Sequence, residues 1–159
     1  MLLPWLKKLE HKLPILIYDG DLEEKDGLPQ LAKDFKELMR SHDGFIISTP
    51  EYNGALSGVL KNLIDWVSRS EDGEEGLVVF KKKTALIMSA SPGGLGGIRG
   101  LPILRLILSG VGTLVIPSQV AFGGAHKGFG DDGTITDDKM KERVNNAVKE
   151  LVETTTKLS

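Results

Sequence analysis

Three short apolar runs alternate with longer segments of helical periodicity, and this alternation constrains the fold more than any other feature of the chain. The apolar runs, each typical of a buried strand, cover residues 45–47, 84–88 and 113–116. The helical segments cover residues 29–42, 60–67, 98–109 and 136–152. Because strands separated by helices of this length form right-handed βαβ units, the sequence predicts an α/β protein with a parallel sheet.

Local signals mark where several of these elements begin or end. We expect Pro29 at a helix start, Pro117 at the close of the last strand and Thr136 as the cap of the last helix. Residues 15–18 are predicted to form a further strand or a buried crossing segment, residues 19–21 a turn, and residues 23–27 a charged, solvated stretch. The helix that begins at Pro29 has a predicted core face of Leu31, Phe35, Leu38 and Met39.

Composition excludes several classes of protein. The 159 residues suffice for one domain, which we expect to span residues 1–159. A formal net charge of −2 without a basic excess argues against nucleic acid or an anionic membrane as a partner. The absence of cysteine excludes disulfides, thiolate catalysis and zinc–thiolate sites.

Targeting and metal signals are also weak. Residues 1–12 have leucines at helical spacing but are too interrupted by proline and charge for a secretory signal, and no apolar run reaches membrane-spanning length. We therefore expect a cytoplasmic protein. His11, His42 and His126 lack metal-ligand spacing, so no metal site is expected.

The loop after the first predicted strand, residues 49–57, is rich in residues that shape a backbone or form hydrogen bonds. Its central members are Pro50, Glu51, Tyr52, Asn53 and Gly54. Tyr52 offers a flat ring with a polar tip, and its neighbours bring carboxylate and amide groups. In a parallel sheet, loops at the carboxyl ends of strands are where ligands bind.

The loop after the second predicted strand, residues 89–97, consists of small residues. Its central members are Ser91, Pro92, Gly93 and Gly94. Residues without a β-carbon let the backbone approach a flat or anionic ligand closely, with N–H groups directed at it. Because adjacent parallel strands put both loops on one rim of the sheet, we expect a planar ligand between them.

This second loop has two other interpretations. No Gly-Lys-Ser/Thr follows it, so it is not a Walker loop. Gly94 and Gly96 match the start of a dinucleotide fingerprint, but Arg99 holds the position of the third glycine. A dinucleotide-binding module is therefore one alternative, and a glycine-rich turn without a ligand is another.

Both loops resemble one known family. The run Thr-Pro-Glu-Tyr-Asn-Gly at residues 49–54, followed by Ser-Gly-Val-Leu-Lys-Asn-Leu-Ile-Asp-Trp at residues 57–66, resembles the NADPH-dependent FMN reductases, which include bacterial quinone and chromate reductases. Residues 89–97 with Arg99, and the pieces at 18–23 and 123–126, are similar to the same family. The resemblance extends over nearly all of the chain from Leu13 onward.

The resemblance implies a flavodoxin-like three-layer sandwich that holds FMN, with NADPH or NADH as co-substrate. The implied ring contacts are Pro50, Glu51, Tyr52, Asn53, Gly54, Ser91, Pro92, Gly93 and Gly94. Arg99 matches a position that in some members reaches a neighbouring subunit's site, which agrees with a homodimer or homotetramer. Pro102 and Val120 depart from the family pattern, so quinone or metal-anion specificity does not carry over.

The resemblance implies an enzyme that passes hydride through FMN to a small acceptor, such as a quinone, a flavin or an azo compound, without a catalytic side chain. Family members begin with a strand and a phosphate-binding loop for which this sequence shows no counterpart. A truncated form, a second chain in the gap, and residues 15–18 pairing with residues 45–47 are the three explanations left open. A flavin-free binding or subunit-pairing module is the corresponding alternative function.

Overall fold

The computed structural model describes residues 15–71 and 73–158, so the helical pattern expected at residues 1–12 lies outside the described residues. The helices are α1 (Gly20–Asp26), α2 (Gln30–Arg40), α3 (Gly58–Val67), α4 (Gly100–Gly110) and α5 (Asp138–Leu158), with a 3-10 helix at Ala125–Lys127. The strands are β1 (Gly44–Ser48), β2 (Glu51–Tyr52), β3 (Ala55–Leu56), β4 (Thr84–Ala90) and β5 (Leu114–Phe122). The predicted alternation of strands and helices is confirmed.

Three of the strands form a parallel sheet in the order β1-β4-β5, which confirms the predicted α/β class. β1 pairs with β4 along its whole length, from Gly44 opposite Thr84 to Ser48 opposite Met88. In the part of the chain that the structure describes, no strand pairs with the outer edge of β1. Ile46, at the centre of β1, therefore remains 45% exposed, and the expected burial of this strand is incomplete.

Helices cover both faces of the sheet, so the molecule has three layers. One core cluster joins α3 and α4 to one face and includes Ile64, Val67, Ala85, Ile87, Leu101, Leu104 and Leu108. A smaller cluster joins α5 to the other face and consists of Leu86, Ile116, Val120, Ala147 and Leu151. None of the helices in the described ranges has the length and apolar character needed to span a bilayer.

Residues 15–18 form no strand, and the suggested pairing of this segment with β1 is wrong. The side chain of Asn62 in α3 accepts the backbone N–H of Tyr18 over 2.7 Å and donates to the carbonyl oxygen of Leu16 over 2.9 Å. The indole N–H of Trp66 donates to the same oxygen. Because α3 side chains use these backbone groups, the segment crosses α3 as an extended strap that is only partly buried.

The last strand does not close at Pro117, contrary to the prediction. β5 continues to Phe122, and its pairing with β4 shifts register in the middle. Because the ladder is interrupted there, the missing N–H of Pro117 removes no regular sheet hydrogen bond. Arg105 of α4 donates to the carbonyl oxygens of Val115 and Ile116 over 3.0 and 2.9 Å, which satisfies the interrupted stretch.

Two helix starts differ from the predictions. The turn expected at residues 19–21 and the charged stretch after it form α1 instead, and Asp19 caps this helix by accepting the backbone N–H of Asp21. At the start of α5 the cap is Asp137, whose carboxylate accepts the backbone N–H of Met140 over 2.9 Å, and not Thr136. Aspartate and threonine are both good caps, so the sequence alone identified the region but not the residue.

Candidate functional site

The loops after β1, β4 and β5 leave the same edge of the sheet, because the strands are parallel. The loop after β1 contains a hairpin in which β2 and β3 pair with Tyr52 opposite Ala55. Asn53 and Gly54 form its two-residue turn with φ values of 52° and 81°, as a type I′ turn requires. Sequence reasoning missed this hairpin, although Asn-Gly is the strongest short-range hairpin signal.

Buried polar groups hold the base of the hairpin. Thr49 is 2% exposed, and its hydroxyl oxygen accepts the backbone N–H of Ser57 over 3.1 Å. The hydroxyl oxygen of Ser57 accepts the backbone N–H of Leu60 over 3.3 Å and so caps α3. With its base fixed, the hairpin carries Tyr52 at the rim with 61% of its surface exposed.

The loop after β4 is tightly folded at one end and open at the other. The buried hydroxyl of Ser89 donates to the carbonyl oxygen of Gly96 over 2.7 Å. A β-carbon on Gly97 would lie 2.9 Å from that of Ser89, and the φ of 81° at Gly97 also requires glycine. A β-carbon on Gly94 would meet nothing within 4 Å. The open part of this loop is therefore the stretch around Gly94.

Glu51 and Arg99 join these two loops directly. The backbone N–H and the side-chain Nε–H of Arg99 donate to the two carboxylate oxygens of Glu51 over 3.1 and 2.7 Å. The Glu51 side chain is 8% exposed, whereas that of Arg99 is 66% exposed. The hydrogen bond from Arg99, aided by the backbone N–H of Gly100, holds the pKa of Glu51 below its ordinary value.

The loop after β5 forms a third wall of the site. The sequence analysis predicted only the first two loops as parts of the site. The backbone N–H of Ser91 donates to the carbonyl oxygen of Phe122, and Ala125 donates back to that of Ser91, both over 3.0 Å. A β-carbon on Gly123 would lie 2.3 Å from the carbonyl oxygen of Gly94. The Gly123-Gly124 pair in the sequence was the available signal for this backbone contact.

All ten residues predicted for the site lie on the first two loops at one edge of the sheet. The hairpin and its approach contribute Pro50, Glu51, Tyr52, Asn53 and Gly54, and the loop after β4 contributes Ser91, Pro92, Gly93, Gly94 and Arg99. The structure brings the two groups together through Glu51 and Arg99, whose side chains bind each other. Tyr52 is 61% exposed, and a β-carbon on Gly54 or Gly94 would meet nothing within 4 Å.

These residues fit the ring of an FMN better than its phosphate. An accessible aromatic ring on one loop and open glycine backbone on the loop joined to it suit a flat, hydrogen-bonding ring system. A phosphate needs a cradle of free N–H groups, usually at a helix N-terminus. Within the described ranges, the two helices that begin at this edge, α3 and α4, are already capped by Ser57 and Glu51.

The same cap argues against the dinucleotide alternative. A dinucleotide fingerprint places the pyrophosphate on free N–H groups at the helix that follows the glycine loop. At the start of α4, the backbone N–H of Arg99 donates to the carboxylate of Glu51. This carboxylate occupies the position that a pyrophosphate would need and repels its negative charge. Among the described residues no group of three or more acidic, histidine or cysteine side chains could hold a metal ion.

Comparison with known proteins identifies the family. A model of the family "NADPH-dependent FMN reductase" matches residues 6–127. The chain belongs to this family. The predicted family membership is thus confirmed, and so is the prediction of a family that works with FMN and NAD(P)H.

Among curated proteins, this FMN reductase family member is similar to an azoreductase and a quinone reductase. The chain is 35% identical to the NADPH azoreductase of Bacillus sp. (strain OY1-2), over 85% of this chain and 68% of that protein. It is 37% identical to the quinone reductase of Escherichia coli (strain K12), over 69% of this chain and 56% of that protein. The matched part of this chain therefore spans between about half and two thirds of the length of these curated relatives.

A solved structure supports the fold. FerB, a flavoenzyme NAD(P)H:(acceptor) oxidoreductase from Paracoccus denitrificans, is similar with a TM-score of 0.75 and 28% identity. The similarity covers 91% of this chain and 76% of FerB. Together with the parallel sheet, this confirms the predicted flavodoxin-like fold class.

Proposed function

We propose that the chain is a flavin-dependent NAD(P)H oxidoreductase that transfers hydride to a small acceptor, such as a quinone, a flavin or an azo compound. The observation that carries this proposal is that Glu51 and Arg99 join two loops, one of which carries exposed Tyr52 and the other open Gly94. When bound, FMN supplies the redox chemistry by accepting hydride from the nicotinamide and passing it on. Family membership and the names of the relatives support the same activity.

The residues of the two loops would bind and orient the ring. Gly94 would offer its backbone N–H to the polar edge of the ring, because the N–H groups of Ser91 and Gly93 donate within the protein and Pro92 has none. Tyr52 would pack against the ring. Pro50, Asn53 and Gly54 would hold the hairpin at the distance that the ring requires. No side chain at this edge is needed as a nucleophile, which agrees with hydride chemistry that the cofactor provides.

We also propose a cytoplasmic homodimer or homotetramer that works on small molecules. The support is apolar surface on α4, where Ile103 is 38% and Leu106 74% exposed. Trp66, by contrast, is fully buried beside Leu28 and Ala32 and belongs to the core. Sedimentation velocity of the Leu106→Glu variant tests the proposal, because a charge at that position should lower the mass of any assembly.

The decisive experiment is the visible spectrum of the purified protein before and after FMN is added and excess removed. Retained flavin bands that NADPH bleaches without oxygen would support the proposal. The Tyr52→Ala variant should weaken FMN binding about threefold to tenfold, the range for a lost aromatic contact. Val152→Ala removes a side chain of similar exposure on α5 and should leave FMN binding unchanged.

A second candidate is a flavin-free binding or subunit-pairing module. The supporting observation is that the helices which begin at the site are capped by the chain itself, which leaves no evident phosphate cradle in the described part. A folded protein that stays colourless after exposure to FMN would favour this candidate over the enzyme. Retained FMN that NADPH reduces would exclude it.

A further inference from the structure

We infer that Glu51 is a positioning residue that couples the two cofactor loops by capping α4 from a hairpin 48 residues earlier in the chain. The inference deepens the proposed function and rests on it for any effect on FMN. Its structural part, the cap itself, is independent of the cofactor.

The start of α4 lacks a cap of its own. Arg99, at the N-cap position, makes no side-chain cap, and the first turn of α4 contains no acidic residue. Helix N-termini need acceptors for their free N–H groups and favour negative charge. Glu51 supplies both, because its carboxylate accepts the N–H of Arg99 and lies close enough to that of Gly100 to interact with it.

The two loops touch backbone to backbone beside this carboxylate. A β-carbon on Gly100 would lie 3.1 Å from the carbonyl oxygen of Ala55 in the hairpin. A β-carbon on Gly97 would lie 3.5 Å from that of Glu51. The start of α4 and the hairpin are therefore in close backbone contact at the point where the Glu51 carboxylate binds Arg99.

Glu51 and Arg99 differ in how deeply their side chains are buried. The Glu51 side chain is 8% exposed and points into the contact, whereas the Arg99 side chain is 66% exposed. If the cap holds the loops, removal of Glu51 should release the backbone of both loops. Removal of the Arg99 side chain should release much less, because the backbone N–H of that residue still donates to Glu51.

Amide hydrogen exchange, followed residue by residue by NMR without FMN, tests the cap. In Glu51→Ala the amide of residue 99 should exchange about 2- to 30-fold faster, the range that the loss of a helix cap implies. The amide of residue 100 should be accelerated less, because it also donates to the carbonyl oxygen of Gly97 over 3.3 Å. Arg99→Gln should keep most of their protection. Glu153→Ala, which removes an exposed carboxylate paired with Lys149 on α5, is the matched control and should change neither amide.

The positioning role is tested with FMN bound at saturation. The visible circular dichroism of bound FMN reports how the ring is held, and it should change in Glu51→Ala but not in Glu153→Ala. A protein that binds no FMN would defeat the proposed function while the exchange experiment still tests the cap. Unchanged exchange in Glu51→Ala, exchange in Arg99→Gln as fast as in Glu51→Ala, or an unchanged dichroism spectrum would overturn the inference.

Discussion

The indole N–H of Trp66 donates to the carbonyl oxygen of Leu16 over 2.7 Å and so fastens the strap at residues 15–18 to α3. Trp66 is fully buried, and its ring meets that of Tyr18 edge to face at 5.1 Å. The Trp66 side chain therefore fills the space beside α2 and also binds the carbonyl oxygen of Leu16, in a segment that pairs with no strand among the described residues.

The Trp66→Phe variant should lower the free energy of unfolding by about 1–2 kcal/mol, and Trp66→Ala by about 3–5 kcal/mol. The loss in Trp66→Phe is moderate because Asn62 still donates to the carbonyl oxygen of Leu16. Urea unfolding followed by circular dichroism measures both. A loss below about 1 kcal/mol in Trp66→Ala would contradict the core role.

Lys36 is a buried cation that stabilises the loop after α3. Its side chain is 1% exposed, and its ammonium donates to the carbonyl oxygen of Arg69 over 2.9 Å and lies 3.5 Å from the carboxylate of Glu71. Lys36→Ala should lower the free energy of unfolding by about 3 kcal/mol, because the carbonyl oxygen of Arg69 loses its donor and the carboxylate of Glu71 loses a nearby positive charge. Lys36→Met retains the packing and should lose less.

Lys149→Ala is the control for the buried lysine, since Lys149 is 76% exposed and pairs only at 3.8 Å with Glu153. Its free energy of unfolding should stay within about 0.5 kcal/mol of the wild type. If Lys36→Ala were as mild as this control, the ion pairs around Lys36 would not contribute to stability.

Glu71 should make stability depend on acidity. The hydrogen bond from Lys33, followed by the charges of Lys33 and Lys36, lowers the pKa of Glu71 below its ordinary value of 4.5. A lowered pKa means that the carboxylate stabilises the fold above pH 4.5 and that this contribution is lost as the pH falls through the lowered value. Urea midpoints measured between pH 3 and 6 should therefore fall less steeply in Glu71→Gln than in the wild type, and equal slopes would refute the assignment.

The cap of α5 distinguishes two neighbouring residues. Asp137→Ala should lower the free energy of unfolding by about 1 kcal/mol, because the backbone N–H of Met140 loses its acceptor. Thr136→Ala is the control, since Thr136 is exposed and caps no helix, and it should change stability much less. Thermal unfolding of the two variants compares them, and a larger loss in Thr136→Ala would reverse the assignment.

The sequence predicted what depends on local apolar pattern. The runs at residues 45–47 and 84–88 became β1 and β4, and β4, the central strand of the sheet, is buried along most of its length, as such a run predicts. The core face of α2 was less well predicted: Ala32 and Lys36 are buried, while Leu38 is 38% exposed. Periodicity cannot foresee a buried lysine, because the acceptors that stabilise Lys36 come from the distant loop after α3.

The candidate site shows the same limit. Its residues were predicted on two loops from strand order and loop composition, and the structure places them on one edge of the sheet. The cap that Glu51 provides could not be predicted, because its hydrogen bond to Arg99 spans 48 residues and depends on the exact approach of two backbones. Long-range contacts between loops leave no periodic signal in the sequence.

Alanine substitutions at Gly123 and Gly94 should affect different properties of the protein: its stability at Gly123 and its FMN affinity at Gly94. Gly123→Ala should destabilise the protein by about 1–3 kcal/mol, because its β-carbon would lie 2.3 Å from the carbonyl oxygen of Gly94. Gly94→Ala should leave the free energy of unfolding nearly unchanged, since its β-carbon would meet nothing within 4 Å, yet it should weaken FMN binding if this backbone faces the ring. Urea unfolding and FMN titration of both variants separate the two effects. Normal FMN affinity in a stable Gly94→Ala protein would remove Gly94 from the ring contacts and move the cofactor towards the hairpin.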